Sequence, residues 1–395
     1  MNSRVISHSS SRVQEHFFGI ALLLAFLLPH SNTLFQMVNP LLCIVMVYAF
    51  THRFYNSKVT YVIIPVVISL LINLQIAGQK ALLSTFTILL YFACFPFVGK
   101  TKIRLGYLYI CLAYIVVSQL IYLFDISFLV DFYDKTYPIG EDDIQYFNRM
   151  RDTINYGNIL SFRLGGFYHN PNQCAKFLTI LMAFFLVINT QKKSRGTLVF
   201  LIISYIGAIL TGSRTGFIIS SLILYFGFLK NENQTKWVKY LFVVFAVFGG
   251  LYIIATGAAV RGFDVENGMS GSAGAKWRTF LYYLNNESNV LSLLFGSVDP
   301  TLFEGQYGQT LPMFDSDYGE IVFRFGFVGF IGVIFFFWAM YKNIVPTKRF
   351  FLIMVLWMYT STIIASYRGL FIFMLLLSVV YSNYHHISGG VIKRN

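Results

Sequence analysis

An arginine stands where two apolar runs of the sequence almost meet. Arg214 lies in ILTGSRTG, between apolar runs at about 197–211 and 215–229. Arg368, in SYRG, and Arg163, just ahead of LGGFYHNPNQCA, occupy comparable positions. An arginine beside a hydrocarbon layer is costly, so it is expected to have a function and a partner. Each could instead extend to lipid headgroups or pair with an acidic residue of the same face. Because the guanidinium fork binds phosphate oxygens in pairs, the arginines together predict a diphosphate ligand.

Polar residues near the same arginines predict helix starts. Asn170 and Pro171 suit the first turn of a helix, and Asn172 follows them. A helix N-terminus offers free N–H groups to a phosphate, so the asparagines are caps, ligands or both. Ser213 and Thr215, which flank Arg214, either cap helix ends or join the arginine on phosphate oxygens.

The elements that must position these residues are apolar helices. The chain has 395 residues, of which 56% are hydrophobic and only 12% charged. Soluble proteins carry about 25% charged residues. The apolar runs are each close to the roughly 20 residues of a spanning helix, and they lack the period-2 alternation of barrel strands. The composition therefore predicts an all-α polytopic membrane protein.

About twelve runs of this kind are separated by short polar segments. No internal repeat and no soluble domain is apparent, so we expect one membrane domain over 1–395. The first run follows a polar start without a cleavage site and is expected to double as a signal. The expected spans lie at about 17–34, 36–51, 59–77, 81–98, 105–124, 173–189, 197–211, 215–229, 238–257, 321–341, 349–366 and 369–384.

The distribution of charge predicts the orientation. Of the 30 lysines and arginines, 18 lie in the N-terminal segment, the tail after 384 and alternate short loops. Positive segments stay in the cytoplasm, which places both termini there. Of the 17 acids, 15 fall in or beside two large opposite loops, at about 125–172 and 258–320. The net charge of +13 therefore reflects topology rather than nucleic-acid binding, and the working face is exoplasmic.

Three blocks of the sequence resemble a known family. RLGGFYHNPNQCA (163–175), TGSRTG (211–216) and DSDYGEIVFRFGFVGFIG (315–332) are similar to blocks of the Wzy-type O-antigen polymerases and of their relatives, the O-antigen ligases. The blocks occur in the expected order on the expected topology, so the resemblance covers most of the chain. It implies a multispan glycosyltransferase of the C class in the bacterial inner membrane. The implied donor is an undecaprenyl-diphosphate-linked glycan, with a flippase and a chain-length regulator as partners.

Carboxylates in the third block could supply a base. A glycosyl transfer with inversion needs a group that takes the proton of the acceptor hydroxyl. Asp315 and Asp317 are candidates, as is His169, the other outer residue with a suitable pKa. The competing interpretation is that these acids, with Glu320, cap a helix and pair with Arg324 or another arginine.

A cationic and aromatic patch is predicted in the second large loop. Lys276, Trp277 and Arg278 follow one another in AKWRTFLYYL, on an expected helix. Arg278 is a candidate diphosphate contact, and Trp277 is suited to anchor at the membrane interface. Arginines can neutralise a diphosphate leaving group, so no metal and no cofactor is expected. The four cysteines lie in or beside apolar runs and are expected to pack without a disulfide.

The polymerase branch is favoured over two alternatives. The ligase branch carries a functional histidine in the second large loop, where this chain has none. A lipid-linked oligosaccharide flippase favours repeated halves and charges at mid-membrane, and Lys176 and Arg324 lie near the ends of their spans instead. Catalytic residues are predicted at Arg163, His169, Arg214, Arg278, Asp315 and Asp317, and substrate contacts at Asn170, Asn172, Ser213, Thr215, Lys276, Tyr318 and Arg368.

Overall fold

The described part of the chain is helical. The structure is a computed structural model that describes residues 3–27, 103–124, 126–136, 164–168, 171–191, 195–225, 272–297, 316–343 and 353–358, with isolated helical positions at 68, 71, 72, 240, 243, 244, 247, 248, 369, 372, 373, 375 and 376. No strand occurs in these ranges, which confirms the all-α prediction for them.

Nine α-helices and one 3-10 helix lie in the described ranges. We number them α1 (Ser3–Leu27), α2 (Gly106–Leu123), α3 (Ser127–Thr136), α4 (Pro171–Gln191), α5 (Arg195–Leu210), α6 (Arg214–Leu224), α7 (Ser272–Asn286), α8 (Val290–Phe295) and α9 (Asp317–Asn343), with a 3-10 helix, η1, at Gly166–Tyr168. All except α3, η1, α7 and α8 cover or overlap an expected span. The spans expected near 36–51, 59–77, 81–98, 238–257, 349–366 and 369–384 lie wholly or largely outside the described residues.

Two compact units divide the chain. Unit 1 comprises Met1–Val47, Lys102–Arg261 and Ser382–Asn395, and it contains α1 to α6. Unit 2 comprises Tyr48–Thr101 and Gly262–Tyr381, and it contains α7 to α9.

The core of unit 1 is built around α4. This helix is apolar on every side, which is the pattern of a helix surrounded by others. Residues 180–187 have no exposed surface, and α4 packs against both α5 and α6. Cys111 of α2 and Cys174 of α4 are fully buried free thiols, which confirms a packing role for these two cysteines.

One helix starts earlier than its apolar run. The first span is expected from about residue 17, whereas α1 begins at Ser3. Its polar start contains neither proline nor glycine before Gly19, so nothing in the sequence breaks the helix. Glu15 is paired with Arg104, just before α2, at 3.0 Å between carboxylate and guanidinium.

Two helices are long and apolar enough to cross a membrane. They are Gly106–Leu123 in unit 1 and Asp317–Phe335 in unit 2, as judged by length and composition. Both coincide with expected spans. Shorter apolar helical segments occur at Glu15–Leu27, Pro171–Val187, Leu198–Leu210 and Arg214–Leu224.

In unit 2, α9 is broken at Gly326. This glycine has φ 63° and ψ −172°, and a Cβ there would lie 2.2 Å from the carbonyl carbon of Leu294. Only glycine allows that approach. The break places the Phe323 carbonyl within reach of the Ser297 N–H, which donates to it at 3.0 Å. The backbone at the end of α8 is therefore in direct contact with the break in α9.

Candidate functional site

The turn before Arg214 is held by its own residues. Gly212 has φ 59°, and its N–H donates to the carbonyl of Ile209 at 2.9 Å. The Ser213 N–H donates to the hydroxyl of Thr211 at 3.2 Å. The Ser213 hydroxyl accepts from the N–H of Gly216 at 3.3 Å, so Ser213 is the N-cap of α6. The cap predicted at Ser213 is confirmed.

Arg214 is the first residue of α6 and is partly exposed. No residue that the structure describes forms a hydrogen bond or an ion pair with its guanidinium. The Ser213 hydroxyl accepts the N–H of Gly216. The backbone N–H groups of Arg214 and Thr215 lie in the same first turn, where N–H groups have no acceptor within the helix. The N-terminus of α6 therefore combines a guanidinium with free backbone donors.

The start of α4 lies against the first turn of α6. A Cβ on Gly216 would come within 2.6 Å of the Cβ of Ala175, so the two helices approach as closely as glycine permits. Pro171 is the first residue of α4, as expected, and Asn172, the second, is exposed. Two helix N-termini are therefore adjacent, and each carries partial positive charge.

Residues Leu164–Tyr168 connect this region to three other helices. The Leu164 N–H donates to the carbonyl of Leu210, at the end of α5, at 2.9 Å. Gly166 has φ 57°, and a Cβ there would meet the hydroxyl of Ser118 in α2. The Tyr168 hydroxyl donates to the carbonyl of Phe26, near the end of α1, at 2.8 Å. Arg163 directly precedes this segment and lies outside the described residues.

These contacts define what we call the helix-end cluster. It consists of Ser118 and Gln119, Leu164–Tyr168, the first turn of α4 and residues 207–216. Sequence analysis missed Gln119, which joins several of these segments. The available signal was a single amide in the apolar run YIVVSQLIY, because a polar side chain in a spanning helix needs a partner.

The two described acids at the start of α9 are Asp317 and Glu320. Ser316 begins α9 by accepting the N–H of Gly319 on its hydroxyl at 3.3 Å. The Glu320 carboxylate is 2.6 Å from the Nε of Arg324, one turn later. For Glu320, pairing with Arg324 is therefore confirmed. Asp317 has no exposed surface, and any role as a base would require it to become accessible.

Tyr318 is also engaged by the protein. Its hydroxyl donates to the carbonyl of Val355 at 2.7 Å, which ties the start of α9 to the helical residues 353–358. A substrate contact through this hydroxyl would have to replace or share that bond.

The remaining predicted residues are not placed together by the structure. Lys276 and Arg278 belong to α7 in unit 2, and their side chains lie outside the description. The other residues outside it are Arg163, His169, Asn170, Asp315 and Arg368. Convergence of Arg163, Arg214 and Arg278 on one ligand stays a prediction.

The helix-end cluster is suited to bind an anion with several oxygens. It offers two helix N-termini and a guanidinium in one place, and all three favour phosphate oxygens. The chain matches no protein-family model and no curated protein.

Proposed function

We propose that the chain is a membrane glycosyltransferase that joins undecaprenyl-diphosphate-linked oligosaccharide repeat units into O-antigen or a related surface polysaccharide. The proposal includes about twelve spans in the bacterial inner membrane, cytoplasmic termini and a periplasmic working face. One observation carries it: the starts of α4 and α6 lie together beside the partly exposed Arg214.

That arrangement suits a diphosphate as donor and as leaving group. When the bond between sugar and diphosphate breaks, negative charge grows on the diphosphate oxygens. Donors already held in place stabilise that charge at no cost of reorganisation. Arg214 and the N–H groups of the two first turns are such donors, and Arg163 and Arg278 are proposed to join them. The resident charges replace a metal ion, and no cofactor is involved.

The acceptor hydroxyl must lose a proton as the new glycosidic bond forms. The base must touch that hydroxyl, and Asp317 has no exposed surface. The proposed base is therefore Asp315 or His169, which lie in the sequence directly before α9 and α4. Their exchange for asparagine and glutamine would abolish proton acceptance and keep the shape of the side chain.

Deletion of the gene in its host tests the proposal, with surface polysaccharide displayed on a gel. If the protein is a polymerase, the deletion strain should retain a single repeat unit on the lipid A core. Complete lipid-linked chains without surface O-antigen would identify a ligase instead. Loss of all polymer together with loss of periplasmic precursor would identify a flippase. Complementation with the wild-type gene controls for effects on neighbouring genes.

A further inference from the structure

We propose that Gln119 is a positioning residue of the diphosphate site, and that its amide holds the end of α5 and residues Leu164–Tyr168 in the register that the site needs. The part of this inference that concerns ligand binding rests on the proposed function. The part that concerns the segment Leu164–Tyr168 does not.

The Gln119 amide joins three elements from a buried position. Its side chain is 1% exposed. Its Nε2 donates to the carbonyl of Leu164 at 3.1 Å and to the carbonyl of Gly207, in α5, at 3.0 Å. The same nitrogen lies 3.5 Å from the Sγ of Cys174, the fourth residue of α4. Both of its hydrogens are therefore engaged by backbone of other elements.

The end of α5 shows what these bonds achieve. The last carbonyls of a helix need donors from outside the helix. Each carbonyl of the last turn receives one: Gly207 from Gln119, Ala208 from the Thr211 hydroxyl, Ile209 from the Gly212 N–H and Leu210 from the Leu164 N–H. Two of these four donors come from the following turn. The other two come from Gln119 and from the segment that Gln119 itself holds.

Two glycines lie close to Gln119, at positions where a larger residue would collide with it. A Cβ on Gly207 would lie 2.9 Å from the Gln119 Oε1, and one on Gly166 would lie 3.1 Å from the Gln119 backbone nitrogen. Both positions are glycines, so the chain closes around Gln119 from two directions. The Oε1 atom has no hydrogen-bond partner among the described residues, so the contribution of the side chain comes from its two hydrogens.

Gln119 acts on the site through the α5 end. Leu210 is the residue before the turn that presents Arg214, and Leu164 follows Arg163 directly. The bond between Leu164 and Leu210 therefore links the backbone beside both arginines. Gln119 is buried, so water cannot readily replace it as a donor, and removal of the amide leaves two carbonyls with fewer partners.

The test uses the full-length protein in nanodiscs with three variants. Gln119→Leu removes both hydrogens. Gln119→Glu keeps one donor, because a buried carboxyl is protonated. Ser204→Ala is the matched control: Ser204 is a fully buried polar residue of α5 whose hydroxyl donates within its own helix, to the Phe200 carbonyl. Hydrogen exchange of the peptide over 164–168, thermal stability and binding of undecaprenyl diphosphate are measured for each.

We expect faster exchange over 164–168 and about tenfold weaker binding in Gln119→Leu, with an intermediate result for Gln119→Glu and wild-type values for Ser204→Ala. Unchanged exchange in Gln119→Leu would overturn the inference, as would lower thermal stability with unchanged affinity. If Gln119→Leu does not fold, Gln119→Glu decides by the same measures. If the wild type does not bind undecaprenyl diphosphate, the proposed function falls, and exchange alone decides whether Gln119 fixes the segment.

Discussion

Neighbouring residues of the turn before α6 serve different purposes. Ser213 is buried and caps the helix, which gives its hydroxyl a structural task. Arg214, the next residue, is partly exposed, and no described residue bonds to its guanidinium. A chain that needed only the turn could place any small or polar residue at that position. Ser213 therefore accounts for the cap, and the Arg214 side chain is not needed for it.

Exchange of Arg214 for lysine tests the guanidinium rather than the charge. Lysine keeps the positive charge but cannot make paired bonds to phosphate. We expect polymerisation to fall at least about tenfold, since a hydrogen bond to a charged group contributes about 1.5–3 kcal/mol. Expression should stay normal. The assay is polymer length on a gel after complementation of the deletion strain.

Arg104→Lys is the matched control for this exchange. Arg104 is more exposed and pairs with Glu15 at 3.0 Å near the start of α2, away from the helix-end cluster. The control should polymerise normally. Wild-type activity in Arg214→Lys would instead favour contact with lipid headgroups as the task of that arginine.

Metal removal tests how the leaving group is neutralised. We expect purified protein to extend lipid-linked repeat units in excess EDTA, because arginines and helix N-termini supply the positive charge. If chelation stopped the reaction and magnesium or manganese restored it, the acids Asp315 and Asp317 would become metal ligands. The arginine-based mechanism would then be wrong.

At the scale of the helices, the site depends on how closely α4 and α6 approach. Gly216→Ala would place a methyl group 2.6 Å from the Cβ of Ala175, which is fixed to the backbone and cannot turn away. We expect the free energy of unfolding to fall by about 1–3 kcal/mol, the usual cost of overpacking. Activity should fall further than stability, because the two N-termini are forced apart.

Thermal unfolding in detergent measures the stability of Gly216→Ala. Gly106→Ala is its control, because a Cβ on Gly106 meets nothing within 4 Å and alanine favours a helix. This variant should be at least as stable as the wild type. Equal melting temperatures for the two variants would show that α4 and α6 are not in close contact at Gly216.

The sequence predicted local features of these elements well. Pro171 marked the start of α4, and Ser213 marked a cap. Local chemistry decides such features, so they can be read from neighbouring residues. Gln119 could not be assigned in this way, because its partners are carbonyls of Leu164 and Gly207, which are 45 and 88 residues away.

The break in α9 was hidden for a related reason. The block RFGFVGFIG contains three glycines that look equivalent in the sequence. Only Gly326 has a positive φ, because the backbone at Leu294 approaches it. The distinction comes from a contact between distant segments, and no periodicity or propensity encodes it.

At the scale of the whole molecule, the prediction concerns the orientation of the chain in the membrane. Reporter fusions after Asp143 and after Gly268 should show periplasmic activity, because positively charged segments stay in the cytoplasm. A fusion after Lys193, in a predicted cytoplasmic loop, should show the opposite. Cytoplasmic activity at Asp143 or Gly268 would overturn the proposed orientation, and with it the placement of Arg214 on the periplasmic side.

The break at Gly326 bears on the order in which the protein is made. If α9 crosses the bilayer as proposed, lipid offers no donor to the Phe323 carbonyl, which the Ser297 N–H serves in the folded chain. Ser297 precedes α9 in the sequence, so the ribosome delivers this donor before the broken helix arrives. The partner is therefore already present when α9 leaves the translocation channel. In a circular permutation that reversed this order, α9 would insert before the Ser297 N–H is available, and the Phe323 carbonyl would lack this donor.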